Sequence, residues 1–267
     1  MSIAPNSIIN GDCLEVMKDI DDRSIDCIIC DLPYGITACK WDIVIPFEPL
    51  WEQYKRIIKP NGAIALFGSQ PFTSALVMSN PKWFKYEWIW EKERGVGFQI
   101  AKYRPMMQTE NISVFCNGTP VYYPQMTKLA VAKTEKFASS KSSSSPLKYI
   151  NQGSRLATHR YPKNLIRFPR KRSKHSTAKP VALIEYLIKT YTLEGELILD
   201  NTAGSGTLAI AAINTNRQYI CIEKDPHYFE VMRDRIANHD PFAPIKTKKV
   251  PRAPKGQLTF FDGGLAV

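Results

Sequence analysis

The stretch LILDNTAGSGTLAIAA, residues 197–212, decides the fold. Apolar residues lead up to Asp200, a turn containing Gly204 and Gly206 follows, and small apolar residues then begin a helix. Small side chains in such a turn let a ligand approach the backbone, and the start of the helix offers unpaired amides. The pattern predicts a nucleotide or nucleoside pocket, although a glycine pair alone also fits an ordinary tight turn.

An acidic residue at the end of the next strand favours the binding interpretation. The segment YICIE ends at Glu223, roughly 20 residues beyond the turn, where such folds place a carboxylate that accepts hydrogen bonds from ribose hydroxyls. The turn lacks the spacing of the dinucleotide fingerprint and has no Lys followed by Ser or Thr. It therefore fits neither a dinucleotide site nor a P-loop well.

Strand-like and helix-like segments alternate on both sides of a central basic region. Residues 7–20, 24–31, 63–68 and 69–81 follow this alternation, as does an amphipathic helix within 47–62 that Pro60, Asn61 and Gly62 close. It returns after residue 179. We therefore expect an α/β fold with one doubly wound, mainly parallel sheet that is interrupted by an insertion.

The composition excludes several classes of protein. A chain of 267 residues that is 44% hydrophobic can bury one large core. No apolar run is as long as a membrane span, and the start MSIAPNSIINGDC lacks the order of a secretory signal, so we expect a cytoplasmic protein without membrane contact. Cys27 and Cys30 have the spacing of half a zinc site, but a strand would send them to opposite faces, and no metal site is expected.

Positive charge is concentrated in one region. The formal net charge is +11. From Lys128 to Lys174 the sequence has thirteen Lys and Arg residues and one acidic residue, Glu135. Such a block is typical of a segment that binds a polyanion, because Lys and Arg displace counterions from phosphates. A solvated loop that aids solubility is the alternative. Regular patterning stops near Thr127, and the Ser-rich residues 136–154 favour a mobile loop or an irregular recognition segment.

Three motifs together resemble the amino-group DNA methyltransferases that use S-adenosylmethionine. That family has D-P-F-x-G-S-G-T where this chain has residues 200–207, H-P-T-x-K-P where it has 175–180, and G-D-C/A where it has 11–13. The resemblance implies a Rossmann-like methyltransferase sheet. It also implies S-adenosylmethionine as cofactor, with Thr177 and Lys179 near the methionine carboxylate. The other implied cofactor residues are Asp12, Cys13, Asp200, Asn201, Gly204, Gly206 and Glu223.

The family's D-P-P-Y motif is similar to Asp31-Leu32-Pro33-Tyr34. The resemblance implies that the Asp31 carboxylate and the Leu32 carbonyl hold the two hydrogens of an exocyclic amine, whose nitrogen then attacks the methyl group. Tyr34 would stack on an extruded base. Pro33 would fix the turn. A strand-ending turn without catalytic function is the alternative for these four residues alone.

The order of the motifs is similar to the β-type arrangement of the family. It implies a catalytic half at 1–126, a basic target-recognition insertion at 127–174, a cofactor-binding half at 175–239 and a flexible tail at 240–267. The candidate contacts to double-stranded DNA are Arg155, Arg160, Arg167, Arg170, Lys171 and Arg172.

The expected activity is methylation of adenine N6 in duplex DNA, with N4 of cytosine as the near alternative. Methylation of RNA or of a protein amide is more distant, and a DNA-binding protein that no longer catalyses belongs to another class. The tail is similar to peptides that dock on the bacterial sliding clamp, unless it folds back on the protein; its residues are Gln257, Leu258, Phe260 and Phe261. A homodimer is also left open.

Overall fold

A computed structural model describes residues 2–36, 39, 42–137, 153–169 and 178–241. Its helices are α1 (Cys13–Val16), α2 (Phe47–Ile57), α3 (Phe72–Ser79), α4 (Val181–Tyr191), α5 (Thr207–Asn214) and α6 (Pro226–Ala237). Its strands are β1 (Ser7–Asn10), β2 (Ile25–Cys30), β3 (Ile58–Gly68), β4 (Phe84–Val96), β5 (Met107–Phe115), β6 (Thr127–Phe137), β7 (Gly153–Arg160), β8 (Leu165–Arg167), β9 (Leu197–Asp200) and β10 (Gln218–Glu223).

Eight of these strands form the main sheet, in the order β1-β10-β9-β2-β3-β5-β4-β8. The pairs from β1 to β3 are parallel, the two pairs that include β5 are antiparallel, and β8 lies parallel to β4. The predicted mainly parallel sheet is confirmed. Because β2 and β9 are neighbours and the chain leaves them toward opposite edges of the sheet, their carboxyl ends form a topological switch point, where open α/β sheets bind ligands.

Both faces of the sheet are covered by apolar residues. Along β2, Cys27 and Ile29 belong to one buried cluster, whereas Ile28 and Cys30 belong to another. The alternation places the two cysteines on opposite faces, as the strand pattern predicts. In the part of the chain that the structure describes, no helix is long and apolar enough to cross a bilayer.

Helix α2 ends earlier than the sequence pattern indicates. The helix ends at Ile57 and β3 begins directly at Ile58, so Pro60, Asn61 and Gly62 lie within the strand. Pro60 disfavours helical backbone at the residue before it, so the helix ends before it reaches the proline. The buried residues Leu50, Tyr54 and Ile57 follow helical spacing along the face that packs on the sheet.

The basic region contains regular structure that the sequence did not indicate. Strands β6 and β7 form a separate antiparallel pair, and β8 extends the main sheet beside β4. The expectation of irregular structure from Thr127 onward is therefore wrong for these strands, because cross-strand pairing stabilises sequences with little alternation. The serine-rich centre at 138–152, residues 170–177 and the tail from 242 onward lie outside the described residues.

Candidate active site

The candidate site lies at the switch point between β2 and β9. Asp31 follows β2 and Asp200 ends β9, and both line one cavity of about 800 Å³. Thr202 Oγ1 donates a hydrogen bond of 3.1 Å to the Asp31 carbonyl oxygen, which links the two strand ends directly. The two segments, far apart in sequence, therefore face the same space.

Both carboxylate oxygens of Asp31 accept hydrogen bonds from protein groups. Oδ1 accepts from the Tyr34 hydroxyl at 2.7 Å, and Oδ2 accepts from Lys179 Nζ. The Asp31 side chain is still 31% exposed, so it remains open to the cavity. Burial raises the pKa of Asp31 and the nearby Glu110 carboxylate adds to the rise, while the Lys179 ammonium opposes both.

Glu110, on β5, lines the same cavity as Asp31 and is only 7% exposed. Its Oε1 accepts from the Tyr34 hydroxyl and from Lys179 Nζ, each at 3.0 Å, and its Oε2 pairs with Lys92 Nζ at 2.8 Å. Burial alone would raise the pKa of Glu110, but the two ammonium groups prevail and lower it to about 2. Two carboxylates and two lysines thus form a charge-balanced cluster around the Tyr34 hydroxyl.

Lys179 lies at the Asp31 motif, which the sequence did not predict. We expected it near the methionine carboxylate of a cofactor, but its Nζ pairs with Asp31 and Glu110 and its side chain is 10% exposed. Burial would lower the pKa of Lys179, but the two carboxylates raise it. Two of the three N–H groups of its ammonium are thus engaged by protein carboxylates, and contact with a cofactor carboxylate stays a prediction. Thr177 lies outside the described residues.

The rest of the Asp31 motif is fixed by aromatic and apolar packing. The Tyr34 ring stacks on Phe72 with centroids 5.0 Å apart and planes 28° apart. Leu32 is buried in the core, and Pro33 lines the cavity beside it. One face of the Tyr34 ring is therefore supported from within the protein.

The glycine loop, residues 200–206, is bound to Glu223 through its backbone. Gly204 N–H donates to Glu223 Oε2 at 2.6 Å, and Asp225 N–H donates to Oε1 at 2.8 Å. Gly206 has φ +74°, and a Cβ there would lie 2.6 Å from Met232 Cγ, so the position requires glycine. Burial raises the pKa of Asp200 to about 7.

The remaining predicted cofactor residues also line the cavity. Asp12 caps α1 by accepting from Leu14 N–H at 2.9 Å, and Lys224 Nζ lies 2.9 Å from its other oxygen. Cys13 is buried at the start of that helix. Asn201 is 2% exposed. Its Oδ1 accepts from Cys30 Sγ and from the Tyr54 hydroxyl, at 2.7 and 2.6 Å, so its side chain joins the core to the loop.

Comparison with known proteins shows which family the chain belongs to. A family model described as a DNA methylase, of the N6/N4 methyltransferase class, matches residues 25–234. The chain belongs to this DNA methylase family. The methylase is 25% identical over 248 residues to type II methyltransferase M.HpaI of Haemophilus parainfluenzae, covering 86% of the chain and 73% of that protein. It is 26% identical over 273 residues to DNA adenine methyltransferase YhdJ of Escherichia coli, covering 95% and 90%.

Solved structures share the fold of the methylase. The M1.HpyAVI–SAM complex matches with a TM-score of 0.59 and 24% identity, over 86% of this chain and 98% of that chain. PvuII DNA methyltransferase (cytosine-N4-specific) matches with a TM-score of 0.63 and 15% identity, over 90% of each chain. These likenesses confirm the predicted fold class, and family membership confirms the prediction of a DNA-modifying enzyme.

Of the candidate DNA contacts in the methylase, two have described side chains. Arg160 is exposed at the end of β7, and Arg167 is exposed with its Nε 2.5 Å from Glu91 Oε2. The side chain of Arg155 is not described. Arg170, Lys171 and Arg172 lie outside the described residues.

Three residues of the methylase site were not predicted from the sequence. Glu110 and Lys92 lie on neighbouring strands of the sheet, and each lies two positions from an apolar residue on the same face of its strand, Ile112 and Trp90. That pattern was a usable signal, because a charge on a sheet face is costly unless it has a partner. Thr202 lies where the family motif D-P-F-x-G-S-G-T has Phe. Its hydroxyl contact with Asp31 depends on two strands becoming neighbours.

Proposed function

We propose that the methylase transfers a methyl group from S-adenosylmethionine to the N6 amino group of adenine at specific sites in duplex DNA. The observation that carries this proposal is that the Asp31 carboxylate opens into a cavity which the glycine loop and Glu223 also line. The relative YhdJ is named as an adenine methyltransferase, which supports adenine. N4 of cytosine is the second candidate, supported by the cytosine-specific PvuII enzyme among the structures of the same fold.

The residues of the cavity fit S-adenosylmethionine. A volume of about 800 Å³ lies within the range of roughly 300–1,000 Å³ that small-molecule sites occupy. Each Glu223 oxygen accepts one backbone N–H and has a lone pair left for a ribose hydroxyl. Gly204 borders the cavity without a side chain, and Asp12 borders the same space. When bound, the cofactor supplies an electrophilic methyl group on sulfur.

The Asp31 motif supplies what the target amine lacks. The lone pair of an exocyclic amine is delocalised into the ring, which makes it a poor nucleophile. The Asp31 carboxylate and the Leu32 carbonyl each accept a hydrogen bond from one N–H of the amine. The nitrogen then becomes pyramidal, and its lone pair turns toward the methyl group. The carboxylate also stabilises the positive charge that develops on nitrogen. The Tyr34 ring provides a stacking surface for an extruded base, a contact worth about 1–3 kcal/mol.

DNA contact is proposed for the basic region. Lys128, Lys133 and Arg160 are exposed on the β6–β7 pair, where ammonium and guanidinium groups can neutralise phosphates. Arg155, Arg167, Arg170, Lys171 and Arg172 are the other proposed DNA contacts, and the basic sequence supports them. Arg167 would exchange its Glu91 partner for a phosphate or a base edge.

Transfer of a labelled methyl group tests the proposed function. The purified methylase is incubated with tritiated S-adenosylmethionine and mixed-sequence duplex DNA, and the digested nucleosides are separated by chromatography. We expect label in N6-methyladenine and none after Asp31→Ala, while cofactor binding by that variant survives. Label in N4-methylcytosine would establish the second candidate. Full activity of Asp31→Ala would overturn the assignment of the site.

A second proposal concerns the tail, which the sequence alone supports. Residues 257–261, QLTFF, dock on the bacterial sliding clamp, with Gln257, Leu258, Phe260 and Phe261 entering an apolar groove. Deletion of residues 255–267 is expected to abolish clamp binding and leave methylation intact, and unchanged clamp binding would end the proposal. A homodimer and a cytoplasmic location are also proposed; light scattering of the purified protein tests the first, and fractionation of expressing cells tests the second.

A further inference from the structure

The Tyr34 hydroxyl lies between two carboxylates. Its oxygen is 2.7 Å from Asp31 Oδ1 and 3.0 Å from Glu110 Oε1. A phenol has one hydrogen to donate, so it can satisfy only one of the two at a time. The shorter contact is to Asp31, and it occupies a lone pair of the oxygen nearest to Tyr34.

Resting on the proposed function, we propose that Glu110 is a positioning residue that takes over the Tyr34 hydroxyl when the amino group of the target base reaches Asp31. The exchange releases Asp31 Oδ1 for the incoming N–H, and the hydroxyl stays hydrogen-bonded throughout. No covalent bond forms or breaks in this step. Glu110 is only 7% exposed at the cavity wall, and both of its oxygens accept from protein groups, so it acts through Tyr34.

Lys92 holds Glu110 in the orientation that the exchange requires. Its Nζ binds Oε2 at 2.8 Å, which leaves Oε1 facing Tyr34 and Lys179. The ammonium of Lys92 also lies 5.4 Å from the centroid of the Trp90 ring, which supports it from the other side. The acceptor that Tyr34 needs is therefore preformed and charged.

Replacing Glu110 with Gln should put a hydrogen-bond donor, instead of an acceptor, opposite the Tyr34 hydroxyl. Lys92 has its described ion pair with Glu110 alone, whereas Lys179 keeps Asp31 as a partner, so the Gln oxygen is drawn to Lys92 and the amide N–H groups face Tyr34. The hydroxyl keeps Asp31 as its remaining acceptor and competes with the target amine. Removing the hydroxyl as well should therefore restore access to Asp31.

A double-mutant cycle tests this prediction. We expect Glu110→Gln to lower kcat for methyl transfer about tenfold, the effect of one hydrogen bond to a charged group. Tyr34→Phe keeps the ring and should lower kcat less, about threefold, because Asp31 loses one orienting contact. The double variant should be at least about threefold faster than Glu110→Gln alone, whereas independent structural damage would make it slower.

Companion variants separate the alternatives. Glu110→Asp keeps the charge but shortens the reach to Tyr34, and it replaces Glu110→Gln in the cycle if that variant does not fold. Adding Tyr34→Phe to Glu110→Asp should then raise kcat in the same way. Glu87→Gln, a partly buried carboxylate on β4 that binds Asn111, should retain wild-type kcat. Cofactor affinity, measured by calorimetry, should be unchanged in all folded variants.

The outcomes distinguish this inference from the proposed function. Wild-type kcat in Glu110→Gln and Glu110→Asp, or a double variant slower than both of its parents, would overturn the exchange. Loss of activity in Asp31→Ala together with either result would leave the proposed function standing. Activity of Asp31→Ala equal to wild type would remove the basis of both.

Discussion

Replacing Thr202 with Val tests whether the link between the two strand ends positions Asp31. The Thr202 hydroxyl donates to the Asp31 carbonyl at 3.1 Å, and Val keeps the shape of the side chain while removing that donor. A neutral hydrogen bond contributes about 0.5–1.5 kcal/mol, so a loss of about 1 kcal/mol is expected. If all of it appears in the transition state, kcat falls about fivefold.

The assay measures methyl transfer at saturating cofactor and DNA, together with cofactor affinity and Tm. Thr215→Val is the control, because the buried Thr215 hydroxyl likewise donates to a backbone carbonyl, that of Ala211 at 2.7 Å, at the far end of α5. Both variants should lower Tm by about 2–4 °C. Only Thr202→Val should lower kcat.

Two results would refute the reasoning. Wild-type kcat in Thr202→Val would show that the hydroxyl does not position Asp31. An equal fall of kcat in Thr215→Val would show that general loss of stability, and not the link between the strands, controls the rate.

Three further predictions follow from the site. Glu223→Ala should raise the Kd for S-adenosylmethionine about 10- to 100-fold through lost charged hydrogen bonds, with exposed Glu194→Ala as the calorimetric control. Folding raises the pKa of Asp200 from 3.8 to about 7, so its ionisation destabilises the fold as pH rises through that window, by at most about 4 kcal/mol. The Tm of Asp200→Asn should therefore fall less than the Tm of wild type between pH 5 and pH 8. An equal fall would contradict the raised pKa of Asp200. Arg160→Ala should reduce the salt dependence of DNA binding, measured by anisotropy, by about 0.9 in the log–log slope, and an unchanged slope would exclude a phosphate contact.

Local sequence was sufficient where a segment has its own signature. The glycine loop needed positive φ at Gly206 and a strand before it, and both are present. Asp12 was predicted as a cofactor residue, and it lines the cavity while it also caps α1. Alternation along β2 also placed Cys27 and Cys30 on opposite faces.

Local sequence failed where a residue's role depends on a distant partner. Strands β6 and β7 show little alternation, and what stabilises them is their pairing with each other. The role of Lys179 at a cofactor carboxylate stays a prediction, but its ion pairs with Asp31 and Glu110 could not be read from the sequence. Glu110 has no motif of its own, and its position beside Tyr34 follows from the antiparallel strands added to one edge of the sheet.

The sequence by itself determined the class of the fold, the family, the glycine loop and the Asp31 motif, because hydrophobic periodicity and turn-forming residues act over a few positions. Only the tertiary structure decided how charge is shared at Asp31. That cluster draws on β2, β4, β5 and the segment before α4, and the interaction between charges depends on distances in space, which chain spacing does not encode.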